Sequence, residues 1–371
     1  MIKGEFMNID GREANPVHAT LELSELNIKI GRLFMAGMPG KELDAGTESL
    51  IRDYCLSGVI LFSRNIESPV QLARLCRDLQ EKAMTYHGIP LFLAIDQEGG
   101  AVARLRKPFT VFPGNEAIGA DPEPMAKARE FAEITAKEMA LVGLNMDLAP
   151  VVDVRWGEPE KHLAGRTFGD DPKKVAMLGQ VVIKALQENG VMAVAKHFPG
   201  LGRTSLDPHH YLPTIELDDR EMEEINLPPF KEAIAAGVSG IMTSHAIYQS
   251  VEPGLPATLS NKILAELLRE TIGFKGLILT DDLEMGAIKK KWGVAEGAVA
   301  SFEAGSDVLL ICEDQTRIRD SIEILRAKLI RGEISGHRLH QSLGRIMEAK
   351  SRFINKSKKV SIQEVNDYFS R

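Results

Sequence analysis

The chain has 371 residues, 44% of them hydrophobic and 26% charged, with a formal net charge of −7. This composition supplies a large core and excludes a disordered chain, and the absence of a basic stripe interleaved with aromatics argues against a nucleic-acid partner. The three cysteines, Cys55, Cys76 and Cys312, are odd in number and far apart, which fits a reducing compartment and no thiolate metal site.

The first residues, Met1 to Asp10, lack the apolar stretch of a signal peptide, and Met7 offers a second start site. No run of about 18 apolar residues occurs, so no membrane partner is expected and the reading is a soluble cytoplasmic protein. Residues 1–25 read as an N-terminal extension, with 1–20 as a loose arm. From there short apolar runs alternate with helical patterns. Strands are predicted at Ile30–Ala36, Gly58–Phe62, Leu91–Ile95, Met146–Ala149, Met192–Ala195, Gly240–Thr243, Leu277–Leu279 and Val308–Cys312. Helices are predicted between them at 47–56, 71–86, 124–142, 172–188, 220–236, 260–270 and 293–304, and after the last strand at 315–331 and 335–355. Asp171-Pro172 and Ser260 read as starts, and Gly190, Gly237 and Gly305 as stops.

Eight β-then-α units predict an α/β fold, a single (β/α)8 TIM-type barrel. The competing open, doubly wound sheet lacks its Gly-x-Gly-x-x-Gly turn after the first strand. No Pro- or Ser-rich linker divides the chain. Residues 26–357 therefore read as one domain and 358–371 as a polar C-terminal tail.

In such a barrel the residues just after each strand face a common cavity. The third strand is followed by Asp96-Gln-Glu-Gly-Gly100 with Arg104 and Arg106, and the fourth by Pro150, Asp153 and Gly165-Arg166. Lys196, His197 and a long loop to His210 follow the fifth; Ser244 and His245 the sixth; Asp281 and Asp282 the seventh. The ends of the first, second and eighth (Gly37, Ser63, Glu313) are bland. Each polar residue also has a plain structural role open to it. Asp281 and Glu284 fit a capping box, Asp96 fits a turn, and His245 fits a buried structural histidine. Lys196 and His197 fit a solvated pair, and His209 and His210 a surface pair. Their occurrence together at five consecutive strand ends favours a site. Carboxylates, cations and histidines without a phosphate cradle suit a polyol, whose hydroxyls both donate and accept.

The motifs Ile95-Asp-Gln-Glu-Gly-Gly100, Gly165-Arg-Thr-Phe-Gly169, Lys196-His-Phe-Pro-Gly-Leu-Gly202, Asp207-Pro-His209, Met242-Thr-Ser-His245 and Thr280-Asp-Asp-Leu-Glu-Met285 occur in this order. Together they resemble glycoside hydrolase family 3, in its bacterial β-N-acetylglucosaminidase branch, over about residues 27–350. The resemblance implies that residues 26–357 are the family's catalytic barrel, without the second α/β domain of larger relatives. It implies Asp281 as nucleophile, His209 as general acid/base and Asp207 as its partner. It implies Asp96, Arg104, Arg166, Lys196 and His197 as the grip on the terminal sugar in the −1 subsite. The implied substrate is non-reducing terminal β-linked N-acetylglucosamine (GlcNAc), carried on cell-wall muropeptides with GlcNAc-anhydroMurNAc during peptidoglycan recycling. No metal and no organic cofactor is implied, and the expected state is a monomer or weak homodimer.

The chemistry stands apart from the family. Retaining hydrolysis with two carboxyls needs one kept protonated near neutral pH. A histidine, with an ordinary pKa of about 6.5, gives and takes a proton without that perturbation. Asp207, two residues earlier, can fix its tautomer, and a glycosyl-enzyme on Asp281 would then be hydrolysed by water. The acid/base sits on a loop of Gly, Ser and Thr and is expected to move in and out during turnover. Two positions depart from the family pattern. Pro208 replaces a Ser or Thr and either pre-sets the dyad or spoils its angle, and His210 competes with His209, which the spacing favours. Rival readings are a β-glucosidase or a phosphorylase on the same site, a metal-dependent hydrolase using His197, His209, His210, His245 and Asp281, a Schiff-base lyase through Lys196, and a non-catalytic sugar-binding protein.

Overall fold

Eight short parallel strands carry the fold: β1 (Phe34–Gly37), β2 (Gly58–Leu61), β3 (Phe92–Ile95), β4 (Met146–Asp147), β5 (Met192–Phe198), β6 (Gly240–Thr243), β7 (Leu277–Leu279) and β8 (Leu309–Ile311). The computed structural model describes residues 16–157, 160–354 and 359–370. The strands pair in the order β7-β6-β5-β4-β3-β2-β1-β8, and a parallel bridge between Leu279 and Val308 links the two ends. The result is a nearly closed (β/α)8 barrel. Every strand residue is buried, because helices cover the outside while side chains fill the inside. Continuous apolar runs such as Gly58-Val-Ile-Leu61 are therefore the right strand signal here, rather than alternation.

Local chemistry sets the helix ends. Ser68 caps Pro69–His87 by accepting the Gln71 N–H, and Gly88 ends it in the left-handed region. Asp171 accepts the Lys173 N–H ahead of Pro172 and so starts Pro172–Glu188. Where the sequence misled, competition between neighbours explains it. A helix, Pro16–Gly31, runs through Ile30 and Gly31, so β1 begins at Phe34 and not at Ile30. The expected loose arm 1–20 is thus helical from Pro16, and residues 1–15 lie outside the described residues. Within the segment read as a polar tail, Ile362–Phe369 is a helix capped by Ser361; its Val365 is buried and Phe369 packs edge-on against Phe109. Among the described residues no helix is long and apolar enough to cross a membrane.

The barrel floor holds an unusual cation. Lys350 is almost fully buried, donates to the Pro90 carbonyl at 2.7 Å and lies over the Phe92 ring. Burial pushes its pKa down to about 7, with Cys55 acting against this and Arg32 with it. A lysine whose pKa falls on folding binds its proton more readily in the unfolded chain. Between about pH 7 and the unfolded value near 10.4, stability therefore rises with pH, by at most about 1.4 kcal/mol per unit. Denaturant melts across pH 7–10 should show this slope, and Lys350→Met should flatten it.

Candidate active site

At the carboxyl ends of the strands, the chain from β3 turns back through a two-stranded ribbon, Gln97–Gly99 with Val102–Ala103. Gly99 and Gly100 have positive φ, so glycine, not the Asp96 side chain, makes this turn. The Asp96 side chain is left to pair with two cations. Its Oδ1 accepts from Lys196 Nζ at 2.7 Å and its Oδ2 from Arg104 Nη2 at 3.1 Å. Lys196, at the end of β5, also reaches Glu98 Oε1 at 2.8 Å. Arg166, from the loop after β4, donates through Nε and Nη2 to both oxygens of Glu98, each at 2.8 Å. This fork-to-fork pairing fixes the guanidinium plane. Burial alone would raise the Glu98 pKa, but Arg166 and Lys196 hold it far below the usual carboxylate range. Burial likewise works against the Lys196 charge, and Asp96 and Glu98 outweigh it. A dense, charged grip thus forms from residues spread over 100 positions in sequence.

His197 is held separately. Its Nδ1 lies 2.7 Å from Asp153 Oδ2, and Asp153 Oδ1 accepts the backbone N–H groups of His197 and Leu201. Asp153 is fully buried, so one carboxylate sets both the ring and the loop that leaves β5. The carboxylate takes Nδ1–H, which leaves Nε2 as the free nitrogen.

The loop beyond carries a second His–carboxylate pair. Asp207 Oδ1 accepts the backbone N–H of His209 at 2.9 Å and faces its ring Nδ1 at 2.7 Å. Among the described residues His210 makes no such pair; its ring packs against Tyr211. Pro208 finds its place here. The Asp207 carbonyl accepts from the N–H groups of His210 and Tyr211, so Pro208 is the second residue of a turn, where a fixed φ is favoured and no N–H is needed. The loop is also latched by backbone bonds to the segment after β7. Gly286 N–H donates to the His209 carbonyl at 2.9 Å and Ala287 N–H to the Pro208 carbonyl at 3.1 Å, while Lys290 Nζ donates to the His210 carbonyl at 2.8 Å.

Asp281 follows β7. Its Oδ1 accepts the N–H of Asp282 at 2.8 Å. Burial tends to raise its pKa, but His245, His197 and Lys196 together bring it below the ordinary value. Asp282 is the opposite case: burial, with Glu284 and Asp281 nearby, pushes its carboxyl up to about 7 against the Glu284 N–H. Two adjacent carboxyls thus differ sharply in acidity. His245 is buried; its Nε2 lies 3.0 Å from the Asp282 carbonyl and its Nδ1 2.6 Å from Thr258 Oγ1, so it braces the chain at Asp281–Asp282. The capping box suggested by Asp281 and Glu284 does not form, because the Glu284 carboxylate takes the N–H groups of Glu313 and Asp314 instead.

The eight residues singled out from the sequence thus stand on three neighbouring pieces of barrel rim: the grip of Asp96, Arg104, Arg166 and Lys196, the His197 post, and the Asp207–His209 dyad latched beside the Asp281 strand. The sequence reading passed over Glu98, the hub of the grip, and the part of Asp153. Glu98 stands within a noticed motif and Asp153 was noticed only as following the fourth strand, but the partner of each lies far away in sequence. A carboxylate that stays ionised, a histidine with a fixed tautomer and a cation-rich cradle together can split an acetal.

Residues 25–349 match the family described as Glycosyl hydrolase family 3 N terminal domain. "Beta-hexosaminidase A" of Pseudoalteromonas piscicida is 33% identical over 335 residues, covering 84% of this chain; the chain spans about half that relative's length (56%). "Beta-hexosaminidase" of Nitrosomonas eutropha is 32% identical, covering 82% of this chain and 89% of its own. Among solved structures, a glycoside hydrolase family 3 beta-N-acetylglucosaminidase from Paenibacillus sp. str. FPU-7 superposes with a TM-score of 0.88 at 38% identity, over 93% of this chain and 68% of that one. NagZ from Neisseria gonorrhoeae, in complex with N-trifluoroacetyl-D-glucosamine, has a TM-score of 0.76 at 28% identity, over 91% of this chain and 93% of its own.

Proposed function

Since the chain belongs to glycosyl hydrolase family 3, a family of glycoside hydrolases, we propose that it is a retaining exo-β-N-acetylglucosaminidase. Asp281 attacks the anomeric carbon while His209 Nε2 protonates the leaving oxygen. Water, activated by the now neutral His209, then releases GlcNAc from the glycosyl-enzyme. Asp207 keeps the proton on Nδ1 and stabilises the imidazolium. Its own carboxyl stays below the ordinary value: burial opposes this, and the His209 backbone and ring outweigh burial. Asp96, Arg104, Arg166, Lys196 and His197 hold the hydroxyls of the −1 sugar.

The observation that carries this reading is the Asp207–His209 dyad, with Nδ1 2.7 Å from the carboxylate, latched to the segment that follows Asp281. The hexosaminidase names of the relatives and the glucosamine-bound structural neighbour support a GlcNAc substrate over glucose. The motif resemblance alone suggests the source proposed here, muropeptides carrying GlcNAc-anhydroMurNAc handled during peptidoglycan recycling in the cytoplasm.

The test is release of nitrophenol from nitrophenyl β-GlcNAc beside nitrophenyl β-glucoside, with and without phosphate. Good turnover of the glucoside alone would overturn the specificity, and a phosphorylated sugar product would make the enzyme a phosphorylase. His209→Ala should lower kcat/KM for poorly activated leaving groups by about 10²-fold or more, a typical contribution of general acid catalysis, and for nitrophenyl substrates far less, while kcat falls on both because the water-activating base is gone. Equal losses of kcat/KM on both would remove His209 from the acid's role.

A further inference from the structure

Across from the catalytic dyad lies a second pair built the same way. In Glu160-Lys161-His162, Glu160 Oε2 accepts the backbone N–H of His162 at 2.8 Å and faces its ring Nδ1 at 2.5 Å. Asp207 treats His209 in the same manner, with one carboxylate oxygen on both groups. The two rings stand 6.5 Å apart between centroids and nearly perpendicular, at 77°. The His162 carbonyl accepts from Arg166 Nη1 at 3.0 Å, so the residue bridges the sugar grip and the acid/base.

His162 differs from His209 in exposure. The side chain of His209 is 57% exposed, that of His162 only 8%. Among the described residues His162 Nε2 is buried and has no hydrogen-bond partner. A buried polar atom left unpaired is costly, so a group that completes its bonding, a water, an ion or a ligand, is called for. Glu160 fixes the proton on Nδ1, so Nε2 presents a lone pair. Burial lowers the ring's pKa despite Glu160 and Asp207, which keeps that lone pair available at neutral pH.

We propose that His162 binds the leaving group: its Nε2 accepts a hydrogen bond from a hydroxyl of the sugar on the far side of the scissile bond. This rests on the glycosidase reading above. His209 delivers its proton at the bond to be cut, and Arg166 holds the sugar on the near side. The His162 ring, beside that of His209 and tied through its own carbonyl to Arg166, is placed to meet the first donor beyond that bond. A sugar leaving group carries such donors and a nitrophenyl group carries none.

The experiment compares kcat/KM of wild type, His162→Ala and His162→Phe on a β-linked GlcNAc disaccharide and on nitrophenyl β-GlcNAc, with inhibition by free GlcNAc as a report on the −1 subsite. The expected result is a loss about 3- to 10-fold larger on the disaccharide, as for one neutral hydrogen bond, with GlcNAc inhibition unchanged. The Phe variant keeps the ring's bulk and serves if the Ala variant fails to fold. Equal losses on both substrates would make His162 a support for His209 or Arg166 and overturn the proposal, as would no loss at all. Wild-type turnover of the nitrophenyl substrate tests the parent reading independently.

Discussion

Asp281→Ala is expected to lower kcat on nitrophenyl β-GlcNAc by roughly 10⁴-fold or more, the scale seen when a nucleophile is removed from a working site. The physical case rests on charge. Asp281 sits among His245, His197 and Lys196, which overcome its burial and keep it ionised, and its N–H contact to Asp282 comes from its own turn. Its neighbour Asp282 is a poor substitute, because its carboxyl is pushed up to about 7 and its Oδ1 is bound to the Glu284 N–H. The fold should survive, since Asp281 closes no long-range hydrogen bond among those described. Product stereochemistry gives the second readout. A covalent intermediate releases β-GlcNAc first, detectable by NMR before mutarotation. Release of the α-anomer would reassign Asp281 as a base in a single displacement.

Glu98→Ala should be the most damaging change outside the reacting pair. It strands the Arg166 guanidinium and one arm of Lys196 in a site where all three side chains are nearly inaccessible to water. Breaking a buried pair by removing one partner costs about 3–5 kcal/mol, visible in denaturant melts. Binding should suffer too, because Arg166 loses the fork that orients it and Lys196 keeps only Asp96. KM should rise by at least about tenfold, and inhibition by GlcNAc should weaken in parallel. Glu98→Gln, which preserves shape but not charge, should fall between. A Glu98→Ala enzyme with wild-type KM would show that the grip does not depend on this hub.

The barrel was legible because its strands are short, fully apolar and regularly spaced: β6 and β7 fall where the apolar runs Gly240–Thr243 and Leu277–Leu279 place them. The first strand was blurred because Ile30 is as apolar as any strand residue, yet it faces the core from a helix. The pairing of Asp207 with His209 is local, two residues apart, so the motif resemblance that implied it needed no long-range contact to be right. Glu98 and Asp153 were beyond such reasoning. Their partners lie 68 and 44 residues away, and a carboxylate that serves other side chains looks, in sequence, like one that serves a turn. Pro208 was ambiguous for the same reason. Its fitness depends on where the Asp207 carbonyl points, which only the folded loop decides.

The latch between the His209 loop and the segment after β7 has a consequence for how this enzyme can be changed. Its two central bonds join backbone to backbone, so they place few demands on the side chains of the loop. Positions such as His210 and Tyr211 are open to mutagenesis, and substitutions there should leave the backbone seam that holds His209 in place. The constraint falls on the other side of the seam. A Cβ on Gly286 would sit 2.8 Å from the carbonyl oxygens of both His209 and His210. In a saturation library the loop should accept diversity more readily than Gly286, where any side chain would push on both of these loop carbonyls.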